Sequence, residues 1–318
     1  MQAVILAAGR GTRLFPITET RTKAMCPVAG KPIVERVMDT LVTSGIFEFI
    51  LVISPDDPEI VEYFEHKSKI NAKIQFVQQR KQLGMGHALL QAMPYIQGDF
   101  ILSSCDNLVK KNDALRMLSM WSSKPDLNGI LALLRVGSDE LTRMGVVEMD
   151  DQQRIIRIVE KPTLKEAPSD IGSVPIYLFS HKLVSYLNKI QPSARGEYEL
   201  QDAMNEMIQK DGDVYGLLLS DRIDLTHPMD LLKLNLQFLT NDRQRSKMNL
   251  DDFGSGTRII SPVIIDEGVS MGSNCLIGPN VYVESGAVIE DNVILKNCVI
   301  LRGSQVRAGT YGSDQIIW

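Results

Sequence analysis

Cysteine is scarce in this chain: Cys26, Cys105, Cys275 and Cys298 are the whole complement, and none stands in a CxxC or other metal-type spacing. That excludes a disulfide framework and a zinc-finger architecture, and leads us to expect buried thiols in a reducing cytoplasm. No apolar run is long enough to cross a bilayer as a helix. Met1 leads straight into an apolar run, so no signal peptide is expected. Positive charge is not in excess either. The 34 Lys and Arg against 39 Asp and Glu leave a net charge of −5, which argues against a general nucleic-acid surface. The four histidines (His66, His87, His181 and His227) all precede the last quarter of the chain. Otherwise composition is ordinary, and 318 residues suffice for two domains with sizeable cores.

The densest information lies between Val4 and Lys31. The apolar run Val4-Ile5-Leu6-Ala7-Ala8 reads as a buried strand and stops at Gly9-Arg10-Gly11-Thr12-Arg13. Two glycines there permit positive φ and close approach of N–H groups to a ligand. Five cations (Arg10, Arg13, Arg21, Lys23 and Lys31) face one acid, Glu19, in an otherwise acidic chain. Cations gathered where a strand ends point to a polyphosphate site, because open α/β sheets bind ligands at that edge. Taken alone a Gly-x-Gly turn is commonly structural, and this one is neither a Walker A loop nor a dinucleotide fingerprint.

Apolar runs alternate with helical patterns over the first three quarters. Strands are expected at 49–53, 73–77, 100–103, 129–134 and 214–219, and helices at 33–41, 58–67, 86–93, 114–121 and 229–239. Residues 146–149 and 155–159 read as a hairpin. The pattern implies an α/β fold with a mostly parallel sheet. From Val263 a six-residue period takes over for eight hexads. Its first positions run Val263, Val269, Cys275, Val281, Ala287, Val293 and Val299 before failing at Gln305, where the solenoid is expected to end. Such a hexapeptide repeat is that of a parallel β-helix, with three hexads to a coil.

The string Gly9-x-Gly11-Thr12-Arg13-Leu14-x-Pro16-x-Thr18, with Lys23, Pro27 and Lys31-Pro32, resembles the signature of the sugar nucleotidyltransferases, or NDP-sugar pyrophosphorylases. The repeat resembles the left-handed β-helix found behind some of them. The resemblance implies a Rossmann-like, mixed but mostly parallel nucleotidyltransferase domain over 1–239, a linker over 240–258, and a left-handed β-helix over 259–318. It also implies site residues. Arg13 would grip the outer phosphates of a nucleoside triphosphate and Lys23 the phosphates near the reacting centre. Ala7, Ala8, Gly9, Gly11 and Thr12 would line the nucleotide. Gln79, five residues before Gly84 in a Leu-Gly-x-Gly-His-Ala string, would read a pyrimidine edge, since an amide carries both donor and acceptor. Asp106 and Asp224 would hold Mg²⁺, which favours one or two carboxylates with phosphate oxygens and waters. Gly145 and Glu160 would contact sugar hydroxyls, and Lys161 the sugar phosphate.

Some positions depart from the pattern. Cys105 stands for a usual glycine, Thr226-His227 for Gly-Thr, and Ser173-Val174-Pro175 for an Asn-x-Gly loop that shapes the sugar pocket. The expected reaction joins a sugar 1-phosphate to UTP or dTTP with release of pyrophosphate, glucose 1-phosphate being favoured. N-acetylglucosamine 1-phosphate is the alternative substrate, without a second acetyltransferase activity, because the repeat holds no histidine to act as base. An inactive regulatory or assembly subunit is the rival from another class. No nucleic acid or membrane partner is expected. The short solenoid implies a homo-oligomer.

Overall fold

The computed structural model describes residues 1–241 and 253–318; residues 242–252 of the expected linker lie outside the described residues. The chain divides into two compact units, Met1–Gly9 with Val37–Ile223, and Arg10–Arg36 with Asp224–Trp318. Among the described residues no helix is long and apolar enough to cross a membrane.

The first unit is built on a nine-stranded mixed sheet. Its strands are β1 (Gln2–Leu6), β2 (Glu48–Ile53), β3 (Lys73–Gln78), β4 (Phe100–Ser104), β5 (Gly129–Arg135), β6 (Gly145–Met149), β7 (Ile155–Glu160), β8 (Ile171–Phe179) and β9 (Val214–Leu218). The path across it is β7-β6-β8-β4-β1-β2-β3, with β5 beside β8 and β9 beside β5. β3, β2, β1 and β4 are parallel neighbours. The apolar runs of β1, β2 and β4 are buried on both faces, as strands of a covered parallel sheet must be, whereas β3 at the edge buries only Val77. The expected 146–149/155–159 hairpin is β6 and β7, paired antiparallel.

β8 was not foreseen, because Pro175 sits in mid-run and proline supplies no ladder N–H. The strand absorbs it with a register shift between Val174 and Tyr177 against β5. The expected pocket-shaping loop at Ser173-Val174-Pro175 is therefore strand, with Ser173 and Val174 buried.

In the second unit, parallel strands stack into a solenoid with three ladders. Val263 pairs with Val281 eighteen residues on, but Val281 pairs with Cys298 only seventeen on. The corner Gly278-Pro279-Asn280 is answered one coil later by the shorter Lys296-Asn297. Asn280, Asn297 and Asp314 take left-handed φ there and join in a side-chain ladder, at 2.9 and 2.8 Å. The lost residue shifts the inward set. Cys298 and Ile300 match the core positions Val281 and Val283, and Val306 rather than Gln305 or Arg307 fills the next. The failure of the hexad at Gln305 is thus a change of phase. The solenoid continues through Gln305–Val306 to Tyr311–Ile317. Tyr282 and Val299 face away from its core yet are buried, because the helix Pro228–Asn241 packs on their strands.

Candidate active site

Strand register sets the first group of residues. Leu6 is level with Val52 of β2 and Ser104 of β4, and Ile53 is level with Gln78 of β3. The next residues, Ala7 and Cys105, therefore share one row with Ile53 and Gln78 at the carboxyl ends of the parallel strands, and Gln79, like Ala8 and Asp106, comes one residue further on. Backbone bonds carry the row onward: Ala7 N–H to Val52 O at 2.8 Å, Gln79 N–H to Ile53 O at 2.8 Å, and Cys105 N–H to Leu6 O at 3.1 Å. The chain leaves β1 for β2 on one side and returns to β4 on the other, which makes this edge a topological switch point. Ala7 and Ala8 are buried and Gly9 is exposed. A Cβ on Gly9 would meet nothing within 4 Å, so no internal packing demands glycine there.

Gln79 is buried beside the turn that starts the helix Met85–Ala92. Its amide nitrogen donates to Gly84 O at 3.2 Å and faces His87 Nδ1 at 3.0 Å. Burial lowers the His87 pKa, which keeps the ring neutral and able to accept. The amide hydrogens thus turn inward, and the amide oxygen is what Gln79 has to offer a ligand. Gly84 has φ 96°, and a Cβ there would lie 2.9 Å from Tyr198 O, so the turn admits only glycine. Gln82, not singled out from the sequence, donates to Ala8 O at 2.7 Å and ties this turn to the end of β1. A second Gln in a polar run carried no signal of its own.

Asp106 follows the row and is buried. Asn107 Nδ2 donates to its Oδ1 at 3.3 Å and to Ser104 Oγ, while Asn107 Oδ1 is buried without a partner. Among the described residues no three His, Cys, Asp or Glu side chains gather as a metal cluster.

A second group forms where β6 meets β7. Gly145 and Glu160 are paired across the hairpin. A Cβ on Gly145 would lie 2.8 Å from Ser173 Oγ and 3.2 Å from Glu160 Oε2, so the close approach needs glycine. Burial pushes the Glu160 carboxyl up, with Lys161 opposing. Lys161 Nζ lies 3.6 Å and Arg195 Nη2 4.0 Å from Glu160 Oε1, but Oε2 is buried with no hydrogen-bond partner. Lys161 itself holds φ 46°, a costly conformation for a residue with a side chain. Arg195, which also grips Glu199 at 2.8 Å, was missed because it sits in an irregular polar stretch.

The second unit holds the cationic segment. Of the two loop glycines only Gly11 takes positive φ, 71°. A Cβ there would lie 2.8 Å from Lys23 Cβ, so Gly11 makes room for that lysine's stem. Thr18 Oγ1 donates to Gly11 O at 2.9 Å and closes the turn. Thr12 and Arg13 are exposed in the short 3₁₀ turn Thr12–Leu14. The five cations are not equivalent. Arg21 is buried against Glu284 and Lys31 pairs with Glu35 at 2.7 Å, whereas Arg10 and Arg13 are exposed and Lys23 is half-buried. In the same unit Asp224 Oδ2 accepts from Thr226 Oγ1 at 3.0 Å. Asp230 Oδ2 accepts from the Thr226 and His227 N–H groups at 3.2 and 2.7 Å, which stabilises the turn that replaces Gly-Thr.

A family model described as "Nucleotidyl transferase" matches residues 2–241. The chain belongs to the nucleotidyl transferase family. A second model, "GMPPB C-terminal domain", matches residues 259–318. The Bifunctional protein GlmU of Methanococcus maripaludis is 36% identical over 84% of this chain and 61% of its own length. The chain thus spans about three fifths of such relatives. The UTP--glucose-1-phosphate uridylyltransferase AglF of Haloferax volcanii is 32% identical over 72% of this chain and 93% of its own. A glucose-1-phosphate thymidylyltransferase of Streptomyces griseus is 31% identical over 88% and 77%. In fold, the chain is similar to a UDP-glucose pyrophosphorylase solved with UDP-glucose, at TM-score 0.68 and 21% identity, covering 76% of this chain and 98% of that one.

Proposed function

We propose that this protein is a sugar-1-phosphate nucleotidyltransferase that joins UTP, with dTTP next, to glucose 1-phosphate and releases pyrophosphate. The observation that carries the reading is that Ala8, Gln79 and Asp106 each fall one residue beyond the row of Ala7, Gln78 and Cys105 at the carboxyl ends of β1, β3 and β4. Relatives named for uridylyl and thymidylyl transfer to glucose 1-phosphate favour those substrates.

A phosphate oxygen of the sugar phosphate attacks the α-phosphorus, and the α–β bond breaks. No covalent nucleophile of the protein is needed, so the task is positioning and charge neutralisation. Ala7, Ala8 and Gly9 bear on the nucleoside, and the open space at Gly9 suits a ligand against the backbone. Gln79 offers its amide oxygen to the imide N–H of uracil or thymine, beside Gly84. Gly11 and Thr12 shape the turn, Arg13 holds the departing pyrophosphate through its planar fork, and Lys23 offsets charge at the reacting phosphate. Gly145 and Glu160 take the sugar: a hydroxyl donating to Glu160 Oε2 would satisfy its buried unpartnered oxygen. Lys161 neutralises the sugar phosphate.

Asp106 and Asp224 would hold Mg²⁺. Their hard carboxylate oxygens suit it, as does the unpartnered Asn107 Oδ1 next to Asp106. Bound there, the ion would neutralise phosphate charge as a Lewis acid. We further propose a homo-oligomer built through the solenoid, supported by an exposed, register-aligned pair, Ile294 and Tyr311. N-acetylglucosamine 1-phosphate remains the second substrate reading.

Pyrophosphate release from UTP or dTTP against a panel of sugar 1-phosphates tests the proposal. Turnover with glucose 1-phosphate, lost in Asp106→Ala with the fold intact, is expected. A wild-type chain that turns over no sugar phosphate would leave the inactive-subunit reading in its place.

A further inference from the structure

The cationic segment and the solenoid belong to one compact unit, and the contacts between them are specific. Arg21 Nη1 meets Glu284 Oε1 at 2.5 Å, with the two side chains only 3% and 11% exposed. The other oxygen, Oε2, accepts from the Arg302 N–H at 2.9 Å. Arg302 then sends its own Nη2 to the Thr20 carbonyl at 2.7 Å. Glu284 directly follows the strand Val281–Val283, and Arg302 sits one coil on, so both anchors come from the parallel stack. Behind them Asn235 of the helix Pro228–Asn241 is fully buried, accepting from Ala29 N–H at 2.7 Å and donating to Pro27 O at 3.0 Å. Cys26 is buried beside these contacts, and burial pushes its thiol up to about 12.

Two residues past Arg21 comes Lys23, whose stem fills the space that Gly11 leaves. A buried ion pair is weak evidence for stability, because desolvation of both ions offsets their attraction; fixing one arrangement is its better-attested use. We propose that the solenoid is part of the phosphate-handling apparatus: Glu284, assisted by Arg302, is a positioning residue that acts through Arg21 to hold Lys23. This inference rests on the reading of Lys23 as a phosphate-binding lysine. It gives the solenoid a role beyond self-association, and it predicts that damage to one particular corner is felt at the reaction.

The test uses the full-length protein with UTP, glucose 1-phosphate and Mg²⁺. Glu284→Gln keeps the shape and removes the charge. It should lower kcat and raise the nucleotide KM, with kcat/KM for UTP down at least tenfold and the sugar-phosphate KM within threefold. Val306→Ala, in the solenoid core away from the segment, is the stability control and should leave kcat within twofold. Arg302→Gln spares the buried pair, loses the bond to Thr20 and should cost about threefold in kcat/KM for UTP; it serves alone if Glu284→Gln does not fold. Hydrogen exchange of the 20–26 amides should quicken in both anchor variants while that of 288–295 does not. Kinetic constants in the anchor variants that match Val306→Ala, with unchanged exchange over 20–26, overturn the inference. A wild-type protein without turnover refutes the proposed function instead, and the exchange data still decide whether Glu284 holds the segment.

Discussion

Gly11→Ala is the sharpest single perturbation of the phosphate segment. The residue has φ 71°, and an added Cβ would stand 2.8 Å from Lys23 Cβ and 3.3 Å from Thr18 Cγ2. The left-handed conformation costs an L-residue about 1–2 kcal/mol. The contact adds to that, because carbons separate at about 3.5–4.0 Å and a backbone Cβ cannot rotate away. One of the two chains must therefore move by roughly 1 Å. A displacement of that size at a reacting centre costs about 10²-fold in rate. We expect Gly11→Ala to lose about 1–3 kcal/mol of unfolding free energy in a urea titration and about 10²-fold in pyrophosphate release. Gly9→Ala is the matched control for stability. It has neither positive φ nor a neighbour within 4 Å, so its stability should stay within about 0.5 kcal/mol. Its nucleotide KM should rise, because the new methyl occupies the ligand's space. A Gly11→Ala protein with activity within threefold of wild type would refute the link between Gly11 and Lys23.

Glu160→Gln tests the buried carboxyl. Its folded pKa is raised, so the stability it contributes is complete below the ordinary Glu value and is lost as pH rises through the raised one. The Gln variant should flatten that part of a stability-versus-pH curve while raising the sugar-phosphate KM about 10–10²-fold. A steeper curve in the variant would reverse the assignment. Chelation of Mg²⁺ should stop turnover without shifting the melting of the ligand-free protein, and titrating the ion back should restore it. Val306→Ala should cost about 2 kcal/mol in denaturant unfolding and Gln305→Ala under about 0.5, the opposite of what an unbroken hexad requires.

Strands β1, β2 and β4 were legible because their apolar runs are short, continuous and bounded, and β3 because Ile74 and Phe76 alternate with polar residues; the site residues follow directly after these strands. The hexad was legible while its period held. One residue lost at Lys296-Asn297 then moved every later core position, and period counting reads such a slip as an ending. Pro175 hid β8 by local rule, and the register shift that accommodates it is a tertiary solution. Among the cations, sequence gave position without allegiance. Nothing near Arg21 shows that its partner is Glu284, 263 residues away. Glu160 was marked by resemblance, but its unpartnered oxygen and the approach of Arg195 exist only once β6, β7 and the 195–199 stretch meet.

The central claim is direct transfer between two phosphates with no covalent enzyme intermediate. Glucose 1-phosphate carrying ¹⁸O on its three non-bridging phosphate oxygens, turned over with UTP and read by mass spectrometry, tests it most directly. The account predicts that all label enters the nucleotide sugar and none enters pyrophosphate, and that no pyrophosphate forms until the sugar phosphate is added. Label in pyrophosphate, or a burst of pyrophosphate from UTP alone, would contradict it.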